Sequence, residues 1–80
     1  MPKPEIQVKC NDGTKYRIRW NRKDSLYILE YRNDIKPLLA INGGKVKGHW
    51  LYLESQEYYW DCLAYLVEEI QAIAAIEGIP

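Results

Sequence analysis

Apolar side chains recur at every second position through the first 32 residues, and every three to four positions from residue 56 to residue 77. Ile6, Val8 and Cys10 alternate with Glu5, Gln7 and Lys9, and Asn11-Asp12-Gly13-Thr14 then supplies a turn. Lys15 to Asn21 repeats the alternation, with Tyr16, Ile18 and Trp20 on one face and Lys15, Arg17 and Arg19 on the other. That pattern predicts a strand with one core face and one basic face. Arg22-Lys23-Asp24-Ser25 turns the chain again. Leu26 to Arg32 reads as a third strand, with Leu26 and Ile28 on one side and Tyr27, Leu29 and Tyr31 on the other. Both sides are partly apolar, so the pattern leaves open which one is buried.

The stretch from Lys36 to Ile41 is apolar but carries Pro37, which fits an edge strand or a crossing loop. Asn42-Gly43-Gly44 marks a turn. Lys45 to Glu54 then reads as one long strand, with Val46, Trp50 and Tyr52 on one side and Lys47, His49, Leu51 and Leu53 on the other. Ser55 is the expected N-cap of a helix over 56–77, with Glu57 complementing its dipole. Tyr59, Leu63, Leu66, Ile70 and Ile73 fall on one line of that helix. Trp60, Cys62, Val67 and Ala74 widen the stripe, and Glu57, Asp61 and Glu68 lie opposite. Gly78 and Pro80 close it. The expected fold class is α+β: an antiparallel four- to five-stranded sheet over about residues 5–54 and one long C-terminal helix, forming a single domain over 1–80.

A helix of about 22 residues is about 33 Å long, whereas an 80-residue globule has a radius of gyration of about 12 Å. One helix end is therefore expected to overhang a single copy. Tyr58, Tyr65 and Ile76 fall on the flank of the helix away from its main stripe. Cores of this size are marginal on their own, so these three residues are the expected dimer or partner interface, and a homodimer is the expected state.

Composition changes this picture in two ways. The 80 residues contain eleven Lys plus Arg and eleven Asp plus Glu, a formal net charge of zero, but the charges are segregated. All eleven basic residues lie between Lys3 and Lys47 with only five acids among them, an excess of six positive charges. The other six acids follow Gly48, where there is no Lys or Arg. The ten aromatic residues are seven Tyr and three Trp, with no Phe. Every ring thus carries a polar atom and suits an interface as well as a core. Cys10 and Cys62 form no disulfide framework and are expected to be reduced and buried. No Cys and His have metal-ligand spacing, so neither a metal nor another cofactor is expected. Met1 to Glu5 lacks the apolar run of a signal peptide and no long apolar segment follows. The expectation is a cytoplasmic protein without a membrane partner.

No catalytic residue stands out. His49 has no carboxylate or nucleophile motif beside it, and Gly43-Gly44 is a turn rather than a phosphate loop. The expectation is therefore that the chain is not an enzyme. Lys15, Arg17 and Arg19 recur at about 6.8 Å along one strand face, comparable with the phosphate spacing of an extended single strand. Arg22, Lys23, Arg32, Lys45 and Lys47 extend the charge, and Tyr27, Tyr31, Trp50 and Tyr52 can border it with rings. Phosphates give affinity and every base offers a π-face, so this set points to single-stranded DNA or RNA. The same residues also suit an ordinary solvated sheet face.

The order of motifs resembles the positive cofactor four family of transcriptional coactivators, small ββββα proteins that bind single-stranded DNA as dimers. Leu26-Tyr27-Ile28-Leu29-Glu30-Tyr31-Arg32 looks like the family's third-strand segment. Lys47-Gly48, Leu51-Tyr52-Leu53 and a helix with Tyr58-Tyr59-Trp60 and Leu63 follow in the same order. The resemblance covers about residues 15 to 77. It implies that Trp20, Arg22 and Lys23 match the family's DNA-contacting aromatic and basic positions, and that Lys45 or Lys47 matches a basic position before the last strand. The chain departs from the family at Leu29, where an arginine is usual, in the apolar 36–41 stretch, and in a longer spacing from Gly48 to the helix aromatics. Two other readings remain open. One is a small interaction or inhibitory protein, such as a phage or mobile-element accessory factor, working through its acidic helix or its aromatic surface. The other is a subunit that is stable only within a larger complex.

Overall fold

The computed structural model describes the backbone of residues 3–76 and the side chains of residues 3–72. Six strands precede one helix: β1 (Ile6–Lys9), β2 (Thr14–Asn21), β3 (Leu26–Asn33), β4 (Leu38–Leu39), β5 (Lys45–Val46), β6 (Leu51–Gln56) and α1 (Tyr59–Ile76). The main sheet has the order β1-β2-β3-β6, antiparallel throughout, and β4 pairs only with β5. This is the α+β architecture that the periodicities predict, with a small hairpin inserted between the third and fourth strands of the sheet.

Register decides which side of β3 is buried. Tyr16 stands across from Tyr31, Ile18 from Leu29 and Trp20 from Tyr27. Tyr27, Leu29 and Tyr31 therefore share the core face with the apolar side of β2. Cys62 and Leu66 of α1 close over Tyr16, Ile18, Tyr27 and Leu29, and Leu29 and Cys62 are fully buried. Each such aliphatic side chain contributes about 2 kcal/mol by leaving water. Tyr27 lies edge-on to both Trp20 and Tyr59. No disulfide joins the two cysteines, and Cys10, expected to be buried, is half-buried at the end of β1.

Several local expectations are corrected. The long strand over 45–54 is two strands broken at Gly48, whose φ of 79° is a left-handed value that favours glycine. Its N–H donates to the Asn33 carbonyl and its own carbonyl accepts from Arg32 Nη2, so tertiary bonds hold the kink. The 36–41 stretch contains a two-residue strand, β4. Ser55 is not an N-cap: it lies in β6 opposite Ile28, and its hydroxyl hydrogen-bonds to Tyr52 Oη at 2.9 Å. Continued pairing with β3 keeps the chain extended through Gln56. The helix begins at Tyr59, with the Tyr58 carbonyl accepting from Asp61 and Cys62.

On α1 the buried stripe is narrower than expected. Tyr59, Leu63 and Ile70 pack on the core, but Trp60 is 73% and Val67 46% exposed. Tyr65, expected on the outer flank, packs against the core instead, while Tyr58 is exposed. The side chains of Ile73, Ala74 and Ile76, and the stop signal at Gly78 and Pro80, lie outside the described residues. The described helix of 18 residues is about 27 Å long, shorter than the expected ~33 Å. No helix among the described residues is long and apolar enough to cross a membrane.

Candidate nucleic-acid interface

The sheet face away from α1 carries the residues that alternate with the core set. Lys9 stands across from Lys15 and Gln7 from Arg17; Lys15 in turn pairs with Arg32, Arg17 with Glu30 and Arg19 with Ile28. The strand alternation thus assembles Lys9, Lys15, Arg17, Arg19 and Arg32 on one surface. Arg22 and Lys23 extend it as exposed residues of the β2–β3 turn. That turn is shaped by Asn21, whose side-chain oxygen accepts from the backbone N–H of Lys23 and Asp24.

Two carboxylates organise these cations. Glu30 Oε1 accepts from Arg17 Nε at 2.8 Å and from Arg19 Nε at 2.7 Å, and the Glu30 residue is only 8% exposed. Its hydrogen bonds to Arg19, acting against burial, push that guanidinium's pKa higher still. Asp34 bridges Lys15 Nζ at 3.1 Å and Arg32 Nη2 at 2.6 Å. Hydrogen bonds from Arg32 and then Lys15 hold the Asp34 carboxyl below its ordinary value of 3.8. The guanidinium of Arg17 lies 4.1 Å from the Trp50 ring centroid and that of Arg32 lies 5.4 Å from it. Four cationic side chains of the surface, Lys15, Arg17, Arg19 and Arg32, are therefore linked through two acids and one indole.

A β-bulge at Leu53 fixes the last member of the surface. Glu30 pairs with Tyr52 but Leu29 pairs with Glu54, so the extra residue shifts the phase of β6 and places Tyr52 and Ser55 on the same side. Tyr52, 49% exposed, stands beside Glu30 on the ladder face. At the β1–β2 side of the sheet, Glu5, Ile6, Gln7, Arg17, Ile18 and Arg19 line a shallow depression of about 360 Å³. With Glu5, Glu30 and Asp34 set against the five sheet cations, the face keeps a positive excess before Arg22 and Lys23 are added.

The expected site residues thus divide. Lys15, Arg17, Arg19 and Arg32 come together, with Arg22 and Lys23 at one end. Lys47 adjoins Gly48 near Arg32, and Lys45 lies on β5 in the separate two-stranded sheet. Trp20 does not join them: it lies on the helix side, edge-on to Tyr27, with the Lys3 ammonium 4.7 Å over its ring. Tyr27 and Tyr31 are on the core side as well, and only Trp50 and Tyr52 border the cations. Leu29, where the resembling family has arginine, is fully buried beneath the helix.

Glu30 and Asp34 are the participants that strand patterning alone does not reveal. A signal for Glu30 exists: closing the hairpin across Arg22–Ser25 sets Arg17 opposite Glu30. No group of three or more His, Cys, Asp or Glu among the described residues could hold a metal ion. No protein-family model, curated protein or solved structure matches this chain.

Proposed function

We propose that the chain binds single-stranded nucleic acid across the sheet face opposite α1, without making or breaking bonds. The carrying observation is the cluster of Lys15, Arg17, Arg19 and Arg32 on one sheet face, with Arg17 and Arg32 over the Trp50 ring and Tyr52 exposed on the same face. Successive cations on β2 repeat at about 6.8 Å, and Trp50 and Tyr52 offer rings on which bases can stack. Glu30 and Asp34 fix where the long cationic side chains sit, and an arriving phosphate must compete with these two carboxylates for them. The resemblance to the positive cofactor four family in the order of strands and helix points to the same ligand class.

The test is a titration of a fluorescent single-stranded oligonucleotide at several salt concentrations. Binding at about micromolar Kd in low salt, weakening steeply as salt rises, is expected. Removing Arg17 and Arg19 alone would strand the buried Glu30 charge and endanger the fold. The informative variant therefore combines Arg17→Gln, Arg19→Gln and Glu30→Gln with Arg22→Ala and Lys23→Ala. Loss of at least about tenfold in affinity is expected; unchanged affinity in a folded variant overturns the proposal.

A further inference from the structure

Besides Ile35 after β3, large apolar side chains are exposed among the described residues in two clusters, and the two clusters carry opposite charge. At the hairpin end Leu39 is 64% and Ile41 67% exposed. Ile41, Trp50, Leu51 and Tyr52 line a shallow groove of about 390 Å³ there. Exposed Lys45 stands across from Leu39 in the same hairpin and exposed Lys47 follows it, and neither has an ion-pair partner among the described residues. At the start of α1, Tyr58 is 64%, Trp60 73% and Val67 46% exposed. Trp60, Ala64 and Val67 follow the four- and three-residue spacing of one helix face, with exposed Asp61 and Glu68 beside them.

One copy does not bring these surfaces together. The hairpin is fastened where Tyr31 donates its hydroxyl hydrogen to the Leu39 carbonyl, toward the end of β3. The helix starts at the other end of that strand, where Cys62 Sγ donates to the Tyr27 carbonyl. Each surface has what the other lacks: a concave apolar strip on a hairpin that carries two lysines, and an aromatic helix face with carboxylates beside it. The segregation of all basic residues before Gly48 and of six acids after it gives the same complementarity for the whole chain.

We infer that the occupant of the hairpin groove is the Trp60 face of α1 from a second copy of this chain. Two copies set antiparallel about a two-fold axis make this contact twice and close, leaving no unpaired surface of either kind. The arrangement differs from helix-against-helix pairing, and it shares Trp50 and Tyr52 with the proposed nucleic-acid face, so the second copy and an oligonucleotide compete for those two rings.

Molecular mass by light scattering across a concentration series, without oligonucleotide, tests the pairing. A dimer that dissociates on dilution, and more readily in high salt, is expected. Trp60→Ser and the double variant Leu39→Ser/Ile41→Ser remove apolar area without changing charge at exposed positions. Each should weaken association at least about tenfold, with helical and strand circular dichroism retained. Mixing the two variants restores one intact contact, one copy supplying the helix and the other the hairpin, so the mixture should associate more tightly than either alone. A monomer at every concentration overturns the inference, as does a mixture no tighter than its components. A dimer lost with Trp60→Ser but untouched by Leu39→Ser/Ile41→Ser also overturns it, because the helices would then be pairing with each other.

Discussion

Arg17 stands directly across the β2–β3 ladder from Glu30 and donates to its Oε1 at 2.8 Å, while Arg19 donates to the same oxygen at 2.7 Å. The two arginines best placed to meet phosphates are thus already engaged by an anion of their own chain. A phosphate arriving at this face competes with a carboxylate that is nearly buried and fixed by the backbone register.

Replacing Glu30 by Gln keeps the shape but removes the competing charge. Affinity for a single-stranded oligonucleotide should rise severalfold and the salt dependence should steepen by about one released counterion. Stability should fall by about 1–2 kcal/mol, below the usual cost of breaking a buried pair because both guanidinium groups are partly solvated. A salt titration and a urea melt measure the two effects separately; a Glu30→Gln protein with weakened binding contradicts the competition.

Asn33 is fully buried, yet every polar atom of its side chain is used. Its amide nitrogen donates to the Asp12 carbonyl and Thr14 Oγ1, and its oxygen accepts from the N–H groups of Ile35 and Lys36. It ties the β1–β2 turn to the exit from β3. Asn33→Ala should cost about 2–4 kcal/mol, because it leaves several partners without a bond. Chemical denaturation showing a change within error of zero would refute that role.

Two carboxylates make the fold acid-labile. Asp34 is held below 3.8 by Arg32 and Lys15. Burial pulls Asp12 upward, but hydrogen bonds from Thr14 and Lys36 outweigh it and leave its pKa lowered. A depressed carboxyl contributes stability that is complete above its unfolded pKa and lost as pH falls through its folded value. The melting temperature should therefore be level from neutrality to about pH 5 and decline below about pH 4. Asp34→Asn should show a shallower decline in the same pH series.

Cys62 has no exposed surface, and its Sγ donates to the Tyr27 carbonyl at 3.4 Å. Burial pushes its thiol pKa up, which suppresses the reactive thiolate. In a Cys10→Ala background, iodoacetamide should modify Cys62 only as fast as the chain opens, with full reactivity appearing in denaturant. Rapid labelling of the native protein, followed by mass spectrometry, would show that α1 is not seated as described.

The alternation of Tyr16, Ile18 and Trp20 with Lys15, Arg17 and Arg19 was enough to place a basic strand face. The three- and four-residue spacing of Tyr59, Leu63, Leu66 and Ile70 was enough to place a helix over a sheet. Both are local periodicities, and the backbone imposes them whatever the surroundings. Tertiary structure decided the rest because it depends on partners distant in the chain. Pairing with Tyr27 held Gln56 in a strand against the capping signal at Ser55, and bonds from Asn33 and Arg32 broke the 45–54 strand at Gly48. Register turned the rings of Tyr27 and Tyr31 toward the helix and set Glu30 between two arginines. A strand's faces are legible in its own residues, but which charge neutralises which is settled only when two strands align.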